Sequence, residues 1–239
     1  MNYLFIKEGK TNIVISAPHS GSAKPWNIPN RKYGNLLQDT YTKKLIQLVV
    51  KKLFWMEPYY IYSNIHRCKV DLNRDILEGA QFNTKAERIW KDWNMLIKYF
   101  TEQACEYGGK CLYIELHSHN DSNEIQLGYN LNARNYLKLM KIKRSNVSTT
   151  LDAIHPDPYE TIFGDFSFKT SLENFGYKVF SPSNGKVYFN GGRGIETFSN
   201  SNVGAIQIEF PVLELGRNTD IAASAIYKAI LNFKGMFLS

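Results

Sequence analysis

Apolar residues along this chain follow two rhythms. Short, almost unbroken runs at 12–17 (NIVISA), 111–116 (CLYIEL) and 204–210 (GAIQIEF) predict buried strands, with 59–62 and 178–180 as shorter candidates. Elsewhere the apolar positions step by three or four. Leu45, Leu48, Val49 and Leu53 predict a helix over 40–54, and the remaining helices are predicted over 84–107, 167–175 and 220–232. Strands and helices alternate, which predicts an α/β sandwich of layers around a mixed, mostly parallel sheet. No repeat and no Pro/Gly/Ser linker divides the chain, so residues 1–239 are expected to form a single domain.

Open α/β sheets bind ligands at the carboxyl ends of their strands. His19 follows the first of the long runs, His117 follows the second and Glu209 lies near the end of the third. Three positions distant in sequence are thereby expected to meet in one crevice. Two histidines and a carboxylate around an open position are a common ligand set for catalytic zinc. Taken singly, each histidine is more readily a hydrogen-bonded strand end than a ligand, and it is their company that shifts the reading.

Composition removes several alternatives. The formal charge of +7 comes from lysines and arginines spread along the chain. Its densest basic stretch, 138–144, has neither stacking aromatics nor a helix-turn-helix pattern, so no nucleic-acid partner is expected. No run approaches bilayer length, and Lys7, Glu8 and Lys10 interrupt the start where a secretory signal needs an apolar stretch, so the expectation is a cytoplasmic protein without a membrane partner. Cys68, Cys105 and Cys111 form no CxxC pair and are expected to be reduced thiols. No GxSxG elbow, P-loop or GxGxxG turn is present. The oligomeric state is left open.

The segments APHSG, VDLNRD, ELHSH and IQIEFP occur in an order that resembles the N-formylglutamate amidohydrolases across nearly the whole chain and, more distantly, the zinc metallocarboxypeptidases. The resemblance implies a three-layer α/β sandwich of the phosphorylase/hydrolase-like kind. It also implies one Zn2+ per chain and hydrolysis of an amide bond in a small-molecule substrate carrying a carboxylate. Asn73 and Arg74 match the Asn-Arg pair of the carboxypeptidase scheme, His117 its second zinc histidine, and Glu209 its late, water-activating glutamate.

The pattern breaks at the third ligand, because Ser22 stands where the carboxypeptidases place a glutamate three residues after the first histidine. Asp39, at the start of the next predicted helix, is the expected replacement, with a helix N-cap as its other reading. Glu115 competes with it: two residues before His117 on a strand, it shares that face and is suited either to bind metal or to orient the histidine. The resemblance implies that Arg74 takes the substrate carboxylate and Arg67 the developing oxyanion, the alternative being salt bridges to Asp71 and Asp75. Asp71 is expected to brace the turn, and His119 to be peripheral. Residues 181–199 read as a loop; the resemblance implies that its Tyr188, Asn190 and Arg193 contact substrate, the other reading being a surface loop without catalytic duty. A carboxypeptidase-like activity and an inactive binding protein on the same fold are the other outcomes this pattern allows.

Overall fold

A computed structural model describes residues 3–143, 146–182 and 189–238. In chain order the elements are β1 (Leu4–Lys7), β2 (Ile13–Ala17), α1 (Thr42–Lys52), β3 (Tyr59–Ser63), α2 (Ile76–Ala80), α3 (Thr84–Gly108), β4 (Cys111–His119), β5 (Gln126–Gly128), α4 (Ala133–Lys141), α5 (Pro158–Phe163), α6 (Phe168–Asn174), α7 (Arg193–Phe198), β6 (Val203–Pro211) and α8 (Val212–Phe237). They build a six-stranded sheet in the order β1-β3-β2-β4-β6-β5. The central four strands run parallel, and the edge strands β1 and β5 pair antiparallel. The sheet is therefore mixed and mostly parallel, as the alternating pattern predicts.

Alternation along the strands sorts side chains into two cores. Ile13, Ile15, Leu112, Ile114, Leu116, Ile206 and Ile208 face one way and pack with α1 and α8, through residues such as Leu45, Val49, Ile226 and Phe233. Val14, Tyr113, Val203 and Ala205 face the other way, against Trp93, Ile97 and Phe100 of α3 and Ile195 and Phe198 of α7. On this second face the apolar character stops partway along each strand. Ser16, Glu115, His117, Gln207 and Glu209 continue the same parity toward the carboxyl ends. A polar floor is thus built into an otherwise apolar sheet.

Several expectations from sequence change. Val179 makes only an isolated bridge to Ile125, so 178–180 is not a strand. The expected loop 181–199 contains α7, whose start is packed against α3 by Arg193 stacking over Trp90. Residues 183–188, with Tyr188 among them, lie outside the described residues. Cys105 and Cys111 are disulfide-bonded rather than reduced, while Cys68 is free and buried. The short separation conceals that pairing. Gly109, at φ 74°, reverses the chain immediately after α3 and brings the start of β4 back onto the helix's last turn, with the two Cα atoms 4.9 Å apart. Among the described residues, no helix is long and apolar enough to cross a membrane.

The C-terminal helix is broken where the sequence pattern predicts a helix start. Asn218 leaves helical geometry at φ −159° and ψ 92°, and its Oδ1 accepts hydrogen bonds from the backbone N–H groups of Asp220 and Ile221. It therefore caps the following segment. Replacing Asn218 with Ala is expected to cost about 1 kcal/mol of stability, and Asn218→Asp much less, as measured by urea unfolding.

Candidate metal centre

The polar floor meets the long connection between β2 and α1. His19 lies just beyond β2 and Asp39 just before α1, with Asp39 N–H donating to the His19 carbonyl at 3.2 Å. The N-cap position of α1 is held by Tyr41, in left-handed geometry, so Asp39 is not the cap of that helix. Its side chain turns inward instead. Asp39 Oδ2 is 2.8 Å from His117 Nδ1 and 3.4 Å from His19 Nδ1, and the two Nδ1 atoms are 3.2 Å apart. All three residues are buried, with relative exposures of 7 % or less.

This triangle has the chemistry of a cation site, and two of its three edges, at 3.2 and 3.4 Å, are near the expected spacing, the 2.8 Å edge being a hydrogen-bond contact. Ligand atoms placed tetrahedrally about 2.0–2.1 Å from a zinc ion would lie roughly 3.3–3.4 Å from one another. The other ring nitrogens fix the tautomers. His19 Nε2 is 2.7 Å from Asp71 Oδ1, and His117 Nε2 is 2.9 Å from Glu115 Oε1. With a cation in place, these bonds would keep the ring hydrogens on Nε2 and leave the Nδ1 lone pairs to the cation. Two ring nitrogens and a carboxylate oxygen then converge on one buried point, where a cation would take the place of the protons that otherwise bridge them.

The surroundings carry the same demand. Four carboxylates, Asp39, Asp71, Glu115 and Glu209, share the site with the guanidiniums of Arg31 and Arg67. The negative excess is felt at His117. Burial alone would lower its pKa, but Glu209, Asp39 and Glu115 together hold it well above the ordinary value. Burial would also raise the pKa of Asp39, yet the neighbouring His19 and His117 keep that carboxyl well below the usual range. Uncompensated buried charge is expensive, so an excess of this kind fits a divalent cation. The donor set of two imidazoles and one carboxylate fits zinc.

Asp71 anchors the assembly from below. It accepts from His19 Nε2, from Arg67 Nε at 2.8 Å, from Arg31 Nη1 at 3.4 Å and from the backbone N–H of Asn73 at 3.0 Å. Burial would raise its pKa, but the charges and hydrogen bonds of His19 and Arg67 lower it far below the ordinary value. Asp71 therefore braces its turn, as expected, and also orients His19. Arg67 is buried, with Nη1 3.6 Å from Asp39 Oδ1. Arg31 has no counterpart in the sequence reading, because its NRKYGN context looks like an ordinary loop. Its side chain is nonetheless buried and also ties Arg67 O, Asn35 O and Glu78 O together.

The remaining candidates divide. Glu115 bonds His117 from behind and is not part of the converging triangle. Ser22 is exposed. Glu209 stands directly abreast of His117 in the parallel β4–β6 register, with Oε1 accepting from Gln207 Nε2 at 2.9 Å. Burial raises its pKa, against the opposing pull of His117. Asn73 is engaged at both ends: Nδ2 donates to Glu115 Oε1 at 2.8 Å, and Oδ1 accepts from Gly194 N–H at 2.7 Å. Gly194 is required here, since a Cβ would overlap the Glu115 carboxylate. Arg74 is half-buried, with 3.4 Å contacts to Glu78 and to the Asn73 carbonyl. Arg193 donates to Asn94 Oδ1 at 3.0 Å on α3 while stacking over Trp90. Asn190 is exposed, and its carbonyl accepts from Asn130 N–H. His119 braces the turn after β4 through Glu124 O and Asp121 N–H.

No family model and no curated protein matches this sequence. The fold does have solved counterparts. N-formylglutamate amidohydrolase from Ralstonia eutropha superposes with a TM-score of 0.62 at 13% identity, over 98% of this chain and 97% of that one. A gene product of Agrobacterium tumefaciens superposes with a TM-score of 0.62 at 12% identity, over 99% and 95% of the two chains. The chain therefore has the fold of the N-formylglutamate amidohydrolase structure along nearly its whole length.

Proposed function

We propose that this protein is a zinc-dependent amidohydrolase that cleaves the amide bond of an N-acyl amino acid of the N-formylglutamate kind, a small-molecule substrate held by its free carboxylate. The observation that carries this reading is the convergence of His19 Nδ1, Asp39 Oδ2 and His117 Nδ1, with Glu209 abreast of His117. The fold it shares with N-formylglutamate amidohydrolase supports the same direction.

Zinc held by His19, Asp39 and His117 would supply polarisation of the amide carbonyl and a more acidic water. The chain's own residues do the rest. Glu209 accepts the proton of the attacking water and passes it to the leaving nitrogen, a role suited to a carboxylate whose pKa burial has raised. Gln207 fixes the direction of that carboxylate. Arg67, buried beside Asp39, is the guanidinium available to charge developing on the carbonyl oxygen. Arg74, half-buried and only loosely tied, receives the substrate carboxylate in a bidentate pair. Asn190 contacts the substrate from its loop, and Arg193 secures the start of α7 on α3.

Elemental analysis of purified protein is expected to find about one zinc per chain, and His19→Ala, His117→Ala and Asp39→Ala are each expected to lose it, whereas Ser22→Ala keeps it. Absence of metal after reloading would sink the hydrolase reading and favour a binding protein. Glu209→Gln should retain zinc while lowering kcat on N-acyl amino acids by roughly 10²–10⁴-fold; undiminished turnover would remove it as the base. Arg74→Ala should raise KM for carboxylate substrates about tenfold or more with little change for an amide analogue lacking the carboxylate.

A further inference from the structure

Behind the two histidines, a chain of hydrogen bonds runs back through the sheet on the face covered by α3. Ser16 Oγ on β2 lies 2.7 Å from the Tyr113 hydroxyl on β4. That hydroxyl donates to Glu115 Oε2 at 2.7 Å, and Glu115 Oε1 faces His117 Nε2 at 2.9 Å. The order of donors follows from proton count: Tyr113 spends its one hydrogen on the carboxylate, so Ser16 donates to Tyr113. All four residues are buried, with exposures of 2 % or less.

Glu115 is the weak point of this chain. It is a carboxylate at 1 % exposure, and among the described residues its one ion-pair contact is His117. What holds it in place are three donors: Tyr113, Asn73 and His117 itself. A carboxylate with two good donors on Oε1 and none on Oε2 would be free to turn about its last bond. The Tyr113 hydroxyl is the donor on Oε2.

We infer that Tyr113 is a positioning residue for the metal centre. Its hydroxyl locks the Glu115 carboxylate, Glu115 keeps the hydrogen on His117 Nε2, and the Nδ1 lone pair is thereby aimed at the point shared with Asp39 and His19. The ring of Tyr113 has a separate duty, packing edge-on against Phe198 of α7 with centroids 5.6 Å apart. Removal of the hydroxyl alone therefore separates positioning from packing. The inference rests on the metal reading of the site.

The test is the zinc dissociation constant of the metal-stripped full chain, measured by competition with a chromophoric chelator. Wild type, Tyr113→Phe, Glu115→Gln and the double variant are compared, with far-UV circular dichroism and thermal unfolding alongside. Tyr113→Phe is expected to weaken zinc binding roughly tenfold to a hundredfold with the fold intact. Because Tyr113 acts through Glu115, the double variant should bind within about twofold of Glu115→Gln alone. Wild-type affinity in Tyr113→Phe, or losses that simply add in the double variant, would overturn the inference while leaving the metal site standing. A wild type that takes up no zinc would overturn both, and so is distinguishable. Should Tyr113→Phe fold poorly, Ser16→Ala probes the far end of the chain. A loss smaller than that of Glu115→Gln supports the inference, and no loss counts against it.

Discussion

Two imidazole nitrogens and a carboxylate oxygen, buried and held within 3.4 Å of one another, set the terms for everything around them. Ionisable groups so close together resist burial, and the fold has to hold them against that resistance. Two devices do so. The first is the pair of carboxylates behind the histidines, Asp71 and Glu115, which fix the rings from the far nitrogen. The second is the rigid parallel ladder of β2, β4 and β6, which carries those rings at strand ends and keeps Glu209 abreast of His117.

The cost of this arrangement spreads outward through the structure. Asp71 needs Arg67 and Arg31, and Arg31 in turn bonds the backbone of its own loop at Asn35 and of two other segments at Arg67 and Glu78. Glu115 needs Tyr113 and Asn73, and Asn73 needs the Gly194 amide at the start of α7. No side chain at position 194 could coexist with the Glu115 carboxylate, so the helix approaches the strand where only glycine fits. The polar network and the apolar cores are thus one design, with the strands switching from packing to chemistry partway along their length.

Much of this was legible in the chain. Unbroken apolar runs predicted β2, β4 and β6, and helical spacing predicted α1 and α3. Alternation placed Glu115 and His117 on one face, and the position of polar residues after apolar runs marked the carboxyl ends of the strands. Short elements escaped, as β1, α2, β5, α5 and α7 are stabilised mainly by what they pack against. The Cys105–Cys111 bond escaped because it depends on one glycine turn.

By itself, then, the sequence determined the layers, the mixed sheet and the few histidines and carboxylates able to carry chemistry, because hydrophobic period is a local property that survives in one dimension. Only the tertiary structure decided among those candidates. It turned Asp39 from a possible helix cap into a partner of both histidines, and set Glu115 behind His117 rather than beside it. It also engaged Asn73 at both ends and buried Arg31 beneath Asp71. Each of those decisions rests on which atoms from distant segments come within 3 to 4 Å, and a side chain's partners across a fold are not written in its neighbours along the chain.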